Sequence, residues 1–94
     1  MQQAELGQKG VRAMAKPQRI YNFTVIFEPL EEGGYDVIVP AIPEICTFGE
    51  TIEEAKRMAK DAIKCYLESA IKRGEPIPED RYPSIERVEV EISS

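Results

Sequence analysis

From Ile20 to Glu28 the chain alternates. Tyr21, Phe23, Val25 and Phe27 fall on one side of an extended backbone, and Asn22, Thr24 and Glu28 fall on the other with Ile20 and Ile26. This period of two, rich in aromatic and β-branched residues, predicts a strand with one buried face. Pro29 ends it, because proline has no N–H to give to a ladder. Glu31-Glu32-Gly33-Gly34 predicts a hairpin turn whose glycines supply the positive φ such turns need. Tyr35–Val39 is the returning strand, with Ile38 on the face opposite Tyr35, Val37 and Val39. Pro40 and Pro43 frame a bend, Ile45–Phe48 reads as a short third strand, and Gly49 closes the meander.

The period then changes. Ile52, Ala55, Met58, Ala59, Ala62, Ile63, Tyr66, Leu67, Ala70 and Ile71 recur at spacings of three and one, which places them on a single helical stripe. Thr51 fits the N-cap and Glu54 the reciprocal partner that reaches back to the cap amide. Gly74 fits the position just past the C-terminus. Glu53/Arg57, Lys64/Glu68 and Glu68/Lys72 stand four apart on the outer face, as ion pairs worth a few tenths of a kcal/mol each would. Burying the six large stripe residues is worth roughly 9–18 kcal/mol, at about 1.5–3 each. The stripe therefore outweighs caps and ion pairs, and it must cover the aromatic face of the sheet.

Pro76 and Pro78 mark an extended loop. Ile85–Ile92 alternates again, with Val88, Val90 and Ile92 opposite Arg87, Glu89 and Glu91, and predicts a final strand. The order is β-β-β-α-β, an α+β fold. Three strands form an antiparallel meander, one long helix packs on one face, and a right-handed crossover sets the fourth strand parallel to the first. Residues 19–94 form this domain. Residues 1–18 have no sustained period and read as a basic N-terminal arm, held by packing on a partner subunit; Met14 is an alternative initiator.

Composition narrows the function. Ninety-four residues make one domain, and no apolar run approaches the roughly 18 residues that span a bilayer. A cytoplasmic, membrane-free protein is expected, with Cys46 and Cys65 reduced. The net charge of −5 is unevenly spread. Residues 1–19 hold four basic side chains against one acidic, net +3, and residues 20–94 hold eight against sixteen, net −8. A field of that sign repels phosphates, so no direct nucleic acid binding is expected, and it favours encounter with a basic protein.

Chemistry is sparse. There is no histidine, the commonest general base and metal ligand. The two cysteines lack metal-ligand spacing, and Gly33-Gly34 sits in a hairpin rather than a phosphate loop. A two-metal nuclease of the ribonuclease H type needs an acid within its first strand, but the centre of that strand is Phe23-Thr24-Val25. No catalytic residue, cofactor or metal is expected.

Residues 20–80 resemble the HicB antitoxin domain. The resemblance runs through the Phe/Val-rich first strand, Glu32-Gly33-Gly34-Tyr35, Val39-Pro40, Ile42-Pro43-Glu44-Ile45-Cys46, Gly49-Glu50-Thr51, Glu53-Glu54-Ala55, Ala62-Ile63, Tyr66-Leu67-Glu68 and Gly74-Glu75-Pro76-Ile77-Pro78. It implies a partly degenerate ribonuclease H-like fold without nuclease activity. It also implies a function, neutralising a small basic HicA-type toxin that cleaves messenger RNA. Three departures stand out. Pro43-Glu44-Ile45-Cys46 replaces the common Leu-Pro-Gly-Cys, and Met58 stands where relatives often carry asparagine. Many relatives append a helix-turn-helix or ribbon-helix-helix domain, whereas only Ser93-Ser94 follow the last predicted strand here, so no vehicle for operator binding is expected.

Two readings follow. As a toxin-neutralising module, the chain would meet its basic partner through acids flanking the hairpin and bend. The expected residues are Glu28, Glu31, Glu32, Tyr35, Asp36 and Glu44, the tyrosine as anchor and the carboxylates steering. The alternative is a stand-alone homo-oligomer, a dimer or tetramer with no cognate toxin. Ile20, Ile26 and Ile38 on the second sheet face make self-association expected in either case.

Overall fold

A computed structural model describes residues 19–93. Strands β1 (Ile26–Pro29), β2 (Tyr35–Ile38) and β3 (Thr47–Gly49) form a three-stranded antiparallel sheet in the order β1-β2-β3, followed by one helix, α1 (Ile52–Arg73). The expected α+β meander with a single long helix is present. The basic arm of residues 1–18 lies outside the described residues.

The turns behave as their residues dictate. Gly33 and Gly34 take φ of 105° and 85°; the Gly33 N–H donates to the Leu30 carbonyl and the Leu30 N–H to the Gly34 carbonyl, each at 3.0 Å. The register pairs Ile26 with Ile38, Phe27 with Val37, Glu28 with Asp36 and Pro29 with Tyr35. The β1–β2 ladder is shorter than the alternation from Ile20 predicts. Beyond Ile38 lie Val39 and Pro40, where the chain bends and proline offers no donor, so residues 20–25 have no partner strand in β2. In that bend the Ile42 N–H donates to the Val39 carbonyl at 2.9 Å, and the Ile45 N–H to the Ile42 carbonyl at 3.1 Å. The two turns drive Ile42 fully into the core beside Val37 and Val39.

Helix α1 is closed at both ends as its sequence predicts. The Thr51 hydroxyl accepts from the Glu54 N–H at 3.1 Å. Glu54 returns one residue further than a standard capping box, accepting from the Glu50 N–H at 2.6 Å. Gly74, at φ 70°, donates to the Ile71 carbonyl and Glu75 to the Ala70 carbonyl, a Schellman closure. The expected i,i+4 ion pairs do not form. Among the described residues the ion pairs are Glu54–Arg57 at 3.8 Å and Arg73–Glu75 at 2.9 Å, both exposed, where water competes for the charges.

The stripe buries less large side chain than its pattern implies. Its buried members are Ala55, Ala59, Leu67 and Ala70, while Ile63 and Tyr66 pack partly buried against the core. Met58 and Ile71 stay 36% and 54% exposed. The small residues have a geometric cause. A Cβ at Gly49 would lie 2.5 Å from the Ala55 Cα, so helix and sheet meet backbone to backbone there.

The predicted fourth strand is a correction. Residues 75–93 carry no strand, and Val88, Val90 and Ile92 are 82%, 73% and 82% exposed. A strand exists through its ladder, and this segment is led away from one. Asp80 takes the Thr24 N–H on one carboxylate oxygen at 2.8 Å and the Thr24 hydroxyl on the other at 2.9 Å. The chain is thus fastened at Thr24, two residues before β1, just ahead of the segment that was to pair with that strand.

Two outcomes are expected. Gly49→Ala should destabilise the fold by about 1–3 kcal/mol in urea unfolding, because helix and sheet must part; a neutral result would contradict the close approach. The hydrogen bond from the Thr24 backbone, with that from its side chain, holds the Asp80 carboxyl below the usual aspartate range against partial desolvation. The fastening should therefore be complete above that range and be lost only as pH falls below it. Thr24 amide protection measured against pH checks this, and loss of protection at neutral pH would count against it.

Candidate protein-binding face

One helix covers one side of the sheet, so the other side is open. The cross-strand register sets Glu28 beside Asp36, Asp36 beside Phe48, and Ile26 beside Ile38. Strand alternation puts these residues on the side away from Val37, which is buried against α1. Glu28 and Asp36 are exposed, Phe48 is 41% exposed and Ile38 38%. The face is thus a small apolar patch crossed by a carboxylate pair.

That pair is unfavourable alone. Like charges directly opposite in a sheet repel, and neither Glu28 nor Asp36 belongs to an ion pair formed among the described residues. Glu31 and Glu32 extend the negative field from the exposed hairpin at the end of the same two strands. A cationic side chain laid across this face would relieve repulsion as well as gain attraction.

The structure divides the six residues expected from sequence. Glu28, Asp36, Glu31 and Glu32 share the open face and its hairpin. Tyr35 lies on the other side, partly buried and packed against the core. Glu44 is exposed in the bend and accepts a long 3.4 Å hydrogen bond from the Tyr66 hydroxyl, which ties it to the helix side. The aromatic on the open face is Phe48, which the sequence reading passed over. The alternation of Thr47-Phe48-Gly49 was the signal, since Gly49 must face the helix and Phe48 therefore away. Gly34 supports Phe48 from beneath: a Cβ there would lie 2.5 Å from the ring, so the ring rests over the turn.

Nothing in this arrangement holds a metal. Among the described residues no three Cys, Asp or Glu side chains are placed to ligate one. Cys46 and Cys65 are free and exposed. No described helix is long and apolar enough to cross a membrane.

Comparison with known proteins agrees. Residues 23–92 match the family described as HicB_like antitoxin of bacterial toxin-antitoxin system. The chain is 38% identical over 64 residues to a UPF0150 protein of Synechocystis, covering 68% of this chain and 81% of that one. It is 44% identical over 63 residues to a UPF0150 protein of Thermoplasma acidophilum, covering 67% and 91%. Against Antitoxin HicB 1 of Photorhabdus laumondii the identity is 48% over 56 residues, covering 60% of this chain but only 36% of the relative. The chain thus spans about the length of the two UPF0150 proteins and about a third of that antitoxin.

Removing one charge from the open face should show its cost. Glu28→Gln is expected to raise stability by about 0.2–1 kcal/mol in denaturant unfolding of the isolated protein. A loss of stability would mean that Glu28 has a favourable partner after all.

Proposed function

The chain belongs to the HicB-like antitoxin family of bacterial toxin–antitoxin systems, and from that premise we propose that it is a non-catalytic cytoplasmic antitoxin that binds and neutralises a small basic HicA-type toxin. The observation that carries the reading is the Glu28–Asp36 pair, set side by side on an open sheet face with no ion-pair partner among the described residues. Glu31 and Glu32 steer the approach of a cationic surface, Phe48 and Ile38 supply apolar contact, and the carboxylates then pair with basic side chains. Tyr35 acts from beneath by fixing the hairpin, and Glu44 sits at the rim. Inhibition needs only that the toxin's RNA-binding surface be covered. Shape and charge suffice for that, without a cofactor.

Self-association of the antitoxin, as a dimer or tetramer, belongs to the same reading. A second reading, a stand-alone homo-oligomer with no toxin, draws on Ile26 and Ile38 of the same open face. The two differ in what the acids do. In a homo-oligomer built on that face Glu28 and Asp36 would meet their own copies, and like charge would oppose contact.

Coexpression with a small basic protein encoded in the adjacent reading frame, which the proposal requires, tests it. The two should co-purify, and growth arrested by the partner alone should be restored. Glu28→Lys combined with Asp36→Lys should weaken the complex by about tenfold or more and abolish the rescue. Unchanged binding by that variant would move the interface elsewhere, and a partner that is neither toxic nor bound would overturn the proposal.

A further inference from the structure

The opposite edge of the molecule poses a different question. A groove of about 1060 Å³ runs between residues 19–27 and one side of α1. Phe23, Val25, Ile63 and Leu67 line it, and it adjoins β1, an edge strand of the sheet. The chain also carries an exposed segment with the alternation of a strand but no sheet partner. Val88, Val90 and Ile92 recur at period two, all more than 70% exposed. We propose that the C-terminal segment of one copy fills this groove in a second copy, so that two copies exchange their last strands and each completes the other's sheet.

Geometry argues against the chain filling its own groove. The Asp80–Thr24 hydrogen bonds fasten the chain at Thr24, two residues before β1 begins. Running on parallel to β1 from there, Ile85 would already be five residues further, level with Pro29 where β1 ends. Val88, Val90 and Ile92 would overshoot the sheet, leaving Phe23 and Val25 uncovered. A segment arriving from another molecule has no such starting point. Residues 81–92 reach about 40 Å when extended, at roughly 3.3 Å per residue, enough to cross to a neighbour.

Charge selects the occupant. The groove rim holds Arg19, Lys56, Lys60 and Lys64 against Glu68, net +3. Residues 85–93 hold Glu86, Glu89 and Glu91 against Arg87, net −2. The basic toxin proposed above would be repelled by this rim, whereas the chain's own acidic tail is attracted to it. Each copy offers one open edge and one unpaired strand. A two-fold pair satisfies both at once and closes on itself. The inference does not depend on toxin binding, since copies could exchange strands and neutralise nothing.

The test uses the full chain with Cys46→Ser and Cys65→Ser. Two differently tagged copies are coexpressed, one with Lys60→Cys and the other with Val90→Cys. Mild oxidation should give a disulfide between the two copies. Sedimentation should show self-association that Val88→Asp with Val90→Asp weakens by roughly 100-fold or more. The helical circular dichroism should be unchanged, because the tail lies outside the folded unit. Several results would overturn the proposal: a monomeric full chain, self-association indifferent to the aspartates, or a Lys60→Cys/Val90→Cys chain that closes on itself as a monomer. A monomer whose lysine row binds RNA or anionic vesicles would do so as well.

Discussion

Helix α1 can lie on the sheet as closely as it does because Gly49 has no side chain where Ala55 crosses it. That contact sets the other spacings. With backbones so near, the helix positions facing the sheet must be small, and Ala55 and Ala59 fill them. The larger core volume comes from the other side, from Val37, Val39 and Ile42, with Phe27 leaning in from β1 and Phe23 and Val25 from the segment just before it. A single helix seated this tightly covers one face of three strands and can cover no more. The open face and the open edge, which the functional reading uses, both follow from that geometry.

The two open surfaces carry opposite charge. The sheet face away from the helix has Glu28 and Asp36 at its centre and Glu31 and Glu32 at its end. The groove beside β1 has Lys56, Lys60 and Lys64 along its rim. A sequence with net charge −5 hides this separation. On the two proposals a basic protein would be drawn to the face and an acidic strand to the groove, each repelled from the other's place. The proposed inhibition uses the first surface, and the proposed strand exchange the second.

Much of this was legible in the sequence. The hairpin glycines, the Thr51 cap, the Gly74 stop and the helix stripe are local signals, and the hairpin and α1 stand where their patterns put them, whereas β1 begins at Ile26 rather than Ile20 and residues 85–92 carry no strand. What the sequence could not show lies in contacts between distant residues. Asp80 and Thr24 are 56 positions apart, and no periodicity links them, yet their hydrogen bonds fix where the chain after the helix meets the segment before β1. The alternation of Ile85–Ile92 predicts a strand, but a strand needs a ladder, and none forms there among the described residues. Tyr35 illustrates a subtler limit. It was expected to anchor a partner because it is aromatic and near acids, but parity with Val37 turns it toward the core, and Phe48 takes the open side instead. Similarly, the stripe's large residues were expected to carry the burial, but the close approach at Gly49 gives that role to alanines.

The account rests on recognition by the open sheet face. Amide hydrogen exchange of the antitoxin, alone and with its basic partner, tests this most directly. Protection should appear on β1, β2 and the hairpin, around Glu28, Glu31, Asp36 and Phe48, with the exposed side of α1 unchanged. Protection confined to α1, with the sheet exchanging as in the free protein, would contradict it.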